Sequence, residues 1–374
     1  MRVLVCPDKF AGTLSAPEVA EAVATGWLSK APDDHPVRRP LADGGPGFVE
    51  VLAEALGGRR VPVTATDPLG RPVGAEVLVT DDGTAYVESA MACGLHLLAE
   101  SERDPRTTTS YGLGLLLTAA VEAGAHRVVV GLGGSATNDG GAGMLTALGA
   151  TPLDGTGNAL PYGGAALAAV AALDGAPRLR GATLVAATDV DNPLVGLHGA
   201  SNVFGPQKGA TREDVLLLDA ALERFAGVLE RDLPSCPPGL AQLPGAGAAG
   251  GLGAAILALG GRCESGIGLV SAAIGLDAAL DEADLVITGE GSFDHQSLRG
   301  KVVAGVAGAA RDRGKPCVVV AGRVTTGRRE AAAAGVTESF SLVEHFGSVE
   351  EAMARPADGL REIAARLASQ WSRK

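Results

Sequence analysis

The chain has 374 residues, 46% hydrophobic and 20% charged, with a positive mean hydropathy; two ordinary domains are expected, with enough apolar side chain to bury a core, which excludes a disordered or low-complexity chain. A formal net charge of −12 without any clustered basic segment argues against a nucleic-acid partner. The long uncharged stretch 233–261 is broken by Pro234, Pro237, Pro238, Pro244 and several glycines, and five scattered cysteines include no CxxC pair. No membrane helix, disulfide framework or zinc site is therefore expected, and with no export signal at the start the expected location is cytoplasmic.

Taken in chain order, residues 3–6 form an apolar run closed by Pro7, and Ser15 with Glu18 makes a capping-box signature opening a helix to about residue 28. Residues 37–41 read as a second strand, and 48–56 as a second helix ended by Gly57 and Gly58. From 61 to 88 the texture changes to short alternating runs separated by turn residues, which predicts a β-rich stretch and a domain boundary near residue 60. Helices are predicted over 107–123, 141–148, 212–233 and 248–259, with strands over 127–131 and 183–187. The last ninety residues alternate again: strands at 285–288, 317–321 and 339–343, and helices at 298–311, from 327, and at 349–371. Two strand-helix units at the start and three at the end predict one discontinuous α/β domain, residues 1–60 and 284–374, with a doubly wound, flavodoxin-like parallel sheet. A second α/β domain, residues 61–283, is inserted.

Ligands of open α/β sheets bind at strand ends, so the polar loops there are the candidate sites. The first strand is followed by Asp8 beside Lys9, and the second by Asp43 with two glycines that permit close backbone approach. The segment 131–141, GLGGSATNDGG, follows a strand and combines the backbone of Gly133 and Gly134 with Ser135, Thr137, Asn138 and Asp139. That set suits an anion and its counter-ion, and the segment is not a Walker A loop. Asp189 and Asp191, two residues apart after a strand, can hold a magnesium ion or accept a hydroxyl proton. Gly289, Glu290, Gly291 and Asp294, followed by Arg299, again place acids and glycines where a metal or polyphosphate would sit. Residues 245–250 match GxGxxG, but no strand precedes them, and they read as a tightly packed helix start.

At these loops the sequence resembles the type 1 glycerate kinase family of bacteria, through PDKFAGTLSA, LADGG, DPLGRPV, TTTSYG, GLGGSATNDGGAGML, DVDNPL, GASNVFGPQKGAT, PGAGAAGGLGA and ITGEGSFDHQSLRGK, in that order. The resemblance implies phosphorylation of D-glycerate by ATP with Mg2+, 2-phosphoglycerate being the favoured product, in an active site lying in the cleft between two α/β domains; a homo-oligomer is left open. Asp189 or Asp191 is expected to take the hydroxyl proton or, for Asp191, to hold the metal, with Lys9 and Arg299 against the carboxylate or transferring phosphoryl. Asp8, Asp43 and the loop from Gly133 to Asp139 are expected to bind substrate. Gly289, Glu290 and Gly291 are expected at the nucleotide, and Glu290 and Asp294 at the metal. Lys9 stands where the family commonly has Ser and Ala11 where it has Lys, so Lys9 is expected to replace that lysine; Pro46 and His295 also depart from the pattern, at positions where Glu and Gly are frequent. A kinase of another small hydroxy acid, or a metal-dependent hydrolase, would use the same acidic loops.

Overall fold

The computed structural model describes residues 1–295, 297–298 and 302–372. Among them are thirteen strands: β1 (Arg2–Val5), β2 (His35–Arg38), β3 (Arg59–Thr66), β4 (Pro72–Val79), β5 (Thr84–Glu88), β6 (Arg127–Gly131), β7 (Ala150–Leu153), β8 (Ala172–Gly175), β9 (Thr183–Ala187), β10 (Arg262–Glu264), β11 (Leu285–Phe293), β12 (Cys317–Val324) and β13 (Glu338–Ser341). The chain divides into two compact units, Met1–Asp43 with Glu50–Ala55 and Ile267–Lys374, and Gly44–Val49 with Leu56–Gly266.

The first unit is an α/β layer built on one parallel sheet, ordered β13-β12-β11-β1-β2. Alternate residues Val3, Val5, Leu285, Ile287, Val318 and Val320 join an apolar cluster with the helices Ala16–Leu28 and Pro356–Trp371. The residues between them, Leu4, Val286 and Val319, are buried as well. Both faces of the sheet are covered, which is why these strands read as unbroken apolar runs rather than alternating ones. The capping box forms as the sequence predicts, with the Ser15 N–H donating to Glu18 Oε2 at 2.8 Å. The two helices cross at Gly26, where a Cβ would lie 2.3 Å from the Arg361 carbonyl oxygen. Trp27 is fully buried beside this crossing and its indole N–H donates to Asp34 Oδ2 at 2.9 Å.

In the second unit six strands are ordered β10-β9-β6-β5-β4-β3. The four from β10 to β5 are parallel, and β4 and β3 extend them as an antiparallel meander, which accounts for the alternating texture of 61–88. A separate hairpin pairs β7 with β8. The core gathers Leu113, Leu116 and Leu117 of the helix Tyr111–Glu122, Val128 and Val130 of β6, and Leu222, Phe225 and Leu229 of the helix Arg212–Asp232. No helix among the described residues is long and apolar enough to cross a membrane.

Three predicted elements take another form. The helix expected over 349–371 is two, Val349–Ala354 and Pro356–Trp371, because Pro356 lacks the N–H a continuous helix needs and starts a new one instead. The helix expected over 248–259 is a short 3-10 turn, Ala248–Gly250, and the helix Leu252–Ala258, parted where Ala249 (φ 51°) and Gly251 (φ 93°) turn left-handed. The strand expected at 285–288 runs on to Phe293, paired with β12 through Phe293↔Val324, so Gly289, Glu290 and Gly291 lie on a strand and not in a loop.

Candidate functional site

In the first unit the order β2-β1-β11-β12-β13 makes β1 and β11 the neighbours from which the connections diverge, the switch point where open α/β sheets bind ligands. Backbone pairing continues past β1: the Cys6 N–H donates to the Ile287 carbonyl and the Asp8 N–H to that of Gly289, both at 2.8 Å. Asp8 and Lys9 are thereby delivered past the carboxyl end of β1, beside the carboxyl-terminal half of β11. Beyond β2, the Leu41 N–H donates to the Pro7 carbonyl at 2.8 Å and brings Asp43 to the same end.

A cavity of about 490 Å³ opens there. It is lined by the polar residues Asp8, Lys9, Asp43, Glu290, Asp294 and Arg323 and by the apolar residues Phe10, Leu342, Val343, Val349, Ala352 and Met353. A largely apolar recess with a few convergent charges is the usual constitution of a small-molecule site. Asp8 is a strongly perturbed acid of this cavity. Burial pushes its carboxyl up to about 6, with Asp43 adding to the rise, while Lys9 opposes it through its backbone N–H at 2.7 Å and its ammonium at 3.6 Å. Ala11 lines the same cavity as Lys9. Gly291 lines it too, but Gly289 is buried beneath, where a Cβ would lie 2.0 Å from the Val320 carbonyl oxygen. Gly289 thus serves close packing between strands. Arg299 lies outside the described residues.

The glycine-rich segment of the second unit is folded largely upon itself. The Gly133 N–H donates to the Gly44 carbonyl at 3.1 Å, and a Cβ on Gly133 would lie 2.4 Å from Gly45 Cα. These glycines serve the approach of two backbones, so the N–H expected to face an anion is spent internally. Asp139 is fully buried and accepts four hydrogen bonds, from the Ser110 N–H and hydroxyl and from the N–H groups of Gly141 and Gly143, at 2.8 to 3.1 Å. Burial pushes its carboxyl upward against those bonds. In this structure Asp139 organises the loop, as an Asx cap does. Thr137 and Asn138 are also closed to solvent, Asn138 donating to Ser201 Oγ at 2.9 Å. Gly134 remains exposed, and Ser135 reaches the edge of the loop with 6% of its surface accessible.

Asp189 and Asp191 follow β9 and are exposed, and Asp189 Oδ1 accepts from the Ser265 hydroxyl at 2.6 Å. Among the described residues no group of three or more His, Cys, Asp or Glu side chains that could hold a metal ion is found. Lys208 lies in GASNVFGPQKGAT, one of the segments that carry the resemblance, but the reading of strand-end loops does not single it out. This side chain, 1% exposed, donates to Ser135 Oγ at 2.8 Å and to the Thr137 carbonyl at 2.6 Å, and burial brings its ammonium down to about 7. Lys208 is one of just six lysines in the chain, flanked by uncharged residues.

The family model described as the glycerate kinase family matches residues 3–372. The chain is 42% identical to the glycerate 2-kinase of Escherichia coli (strain K12), over 98% of each, and 42% identical to the glycerate kinase of Bacillus subtilis (strain 168), over 99% of this chain and 97% of that one. Among solved structures, a provisionally assigned glycerate kinase 2 from Salmonella typhimurium LT2 matches with a TM-score of 0.83 and 42% identity, over 99% of this chain and 98% of that one.

Proposed function

The chain belongs to the glycerate kinase family, and from that premise we propose that it transfers the γ-phosphoryl group of ATP to D-glycerate in the cytoplasm, 2-phosphoglycerate being the favoured product. The observation that carries the reading is the cavity at the β1/β11 switch point, whose apolar lining residues suit a nucleotide base and whose charged ones suit a triphosphate with its metal. Phosphoryl transfer asks little covalent chemistry of a protein, so positioning and charge do the work.

In this assignment Leu342, Val343 and Met353 hold the base, and Glu290 and Gly291 flank the phosphates. Glu290 and Asp294 are hard oxygen donors of the kind Mg2+ takes, one or two carboxylates sufficing because the phosphates supply other ligands. Magnesium would neutralise charge on the phosphates. Lys9 is the cation set against the transferring phosphoryl, in the role of the lysine absent at Ala11. Asp8 takes the glycerate hydroxyl proton, because a carboxyl brought to about 6 is mostly ionised at neutral pH yet basic enough to accept a proton. Asp189 and Asp191 are the alternative acceptors. The edge of the glycine-rich loop, at Gly134 and Ser135, receives the glycerate carboxylate.

Phosphorus NMR of the products formed from D-glycerate, ATP and Mg2+ tests the proposal. A 2-phosphoglycerate resonance appearing with ADP is the expected result, and a 3-phosphoglycerate resonance would revise the position of attack. If ATP stays intact with folded protein, the assignment of glycerate as substrate is refuted. Phosphorylation of another hydroxy acid under the same conditions would redirect it.

A further inference from the structure

Lys208 is the one basic side chain among the described residues that is buried, and the transfer chemistry proposed above does not use it. It ends the 3-10 turn Pro206–Lys208, followed by Gly209 (φ 98°), where a Cβ would strike the Arg103 carbonyl oxygen at 2.3 Å. The tight turn thus commits the side chain inward. The ionisable groups acting on its ammonium are Asp139 and Cys93, and Asp139 is already saturated by four donors on its own loop. The same loop holds two further buried polar atoms, Thr137 Oγ1 and Asn138 Oδ1, without a hydrogen-bond partner among the described residues. Holding a cation away from water is unfavourable unless something compensates it. Here the direct hydrogen-bonding compensation within the protein is one hydroxyl and one carbonyl, with the Asp139 carboxylate acting at longer range.

The direction of the bond to Ser135 is informative. An ammonium can only donate, so Ser135 Oγ is the acceptor, and the hydroxyl hydrogen of Ser135 must point away from Lys208. Ser135 is the residue where the loop reaches solvent, next to exposed Gly134. We propose that Lys208 is a positioning residue for the acid substrate: it fixes the Ser135 hydroxyl as a donor toward the glycerate carboxylate and places beneath it a buried positive charge that the carboxylate completes. This rests on the assignment of glycerate to the loop made above. Glycerate itself touches Ser135, and Lys208 acts through it.

The test compares steady-state kinetics of wild-type protein, Lys208→Met and Ser135→Ala, each checked for folding by thermal melting. Both variants raise the KM for glycerate tenfold or more and leave the KM for ATP unchanged, and the double variant is no worse than the poorer single one. In wild type the KM for glycerate climbs as pH passes from 7 to 9 and the ammonium is lost, whereas in Lys208→Met it is high and flat across that range. A lysine that merely props up the loop would lower stability without that pH signature. If Lys208→Met does not fold, Ser135→Ala carries the test alone, since it keeps the lysine and removes only the hydroxyl. An unchanged glycerate KM in a folded variant, or a rise in the ATP KM instead, overturns the inference. An inactive wild type would refute the kinase assignment itself, whereas an active wild type with indifferent variants refutes only the role of Lys208.

Discussion

Replacing Asp8 by Asn should make the first unit more stable while disabling the enzyme. The wild-type carboxyl is raised from 3.8 to about 6, largely by burial. A shift of roughly two units, at about 1.36 kcal/mol per unit, is worth about 3 kcal/mol against the ionised form. The sign follows from proton counting: between about pH 4 and 6 the folded protein holds a proton that the unfolded chain has released, so stability falls as pH rises through that window. The full cost is present above pH 6. An asparagine never ionises and escapes it; the shift already includes the opposing attraction of Lys9 3.6 Å away, so the net gain is about 3 kcal/mol. Both tryptophans, Trp27 and Trp371, lie in the first unit, so their fluorescence during urea unfolding reports that unit alone. The stability difference between Asp8→Asn and wild type should be near zero at pH 4 and reach its plateau by pH 7. A difference that stays flat across this range, or a variant less stable at pH 7, would refute the account of Asp8 as a carboxylate held at a cost to the fold. Such a cost is expected where a group is kept for its chemistry, and kcat should fall by about 10² to 10⁴ when the proton acceptor is removed.

Asp139→Ala should destabilise the second unit by at least about 3 kcal/mol in urea followed by circular dichroism, because four buried donors lose their acceptor together. Gly133→Ala should cost about 1 to 3 kcal/mol by the same assay, since its methyl would press on the Gly45 backbone at 2.4 Å; no loss would mean that the loops yield more easily than their spacing indicates. Lys9→Ala should lower kcat at least tenfold in a coupled ADP assay, and adding Ala11→Lys should restore much of it, as both positions line one cavity. Full activity in Lys9→Ala would dispose of the replacement idea.

The parallel sheet of the first unit was legible because each of its five strand-helix pairs carries its own signals: an apolar run such as VLV at 3–5, a turn, and an amphipathic helix such as the one capped by Ser15 and Glu18. The far end of β11 was not. Gly-Glu-Gly-Ser has the composition of a loop, and only pairing with β12, possible because Gly289 lets the chains close up, makes it a strand. The acids and glycines of the candidate site were also found from spacing, but spacing does not say which way a polar group faces. Asp8 looks into a cavity, whereas Asp139 and the Gly133 N–H, equally suggestive as letters, are turned onto their own backbone. Lys208 sits in a segment that carries the resemblance, yet spacing alone does not single it out, because its importance comes from a contact with Ser135 seventy-three positions away.

The pairing of β1 with β11, Val3 opposite Leu285, has a consequence for biosynthesis. At translation rates of about 5 to 20 residues per second, the ribosome needs roughly 15 to 60 s to deliver the partner of the first strand. During that interval the segment containing Val3, Val5, Val19, Val23 and Trp27 has left the ribosome without the neighbours that bury it. The second unit, whose strands all fall between Arg59 and Glu264, can finish first. The nascent chain therefore carries an apolar N-terminal segment in search of cover for most of its synthesis, making it the natural place for a chaperone to bind and the part where slowed translation of the last ninety codons would do most harm.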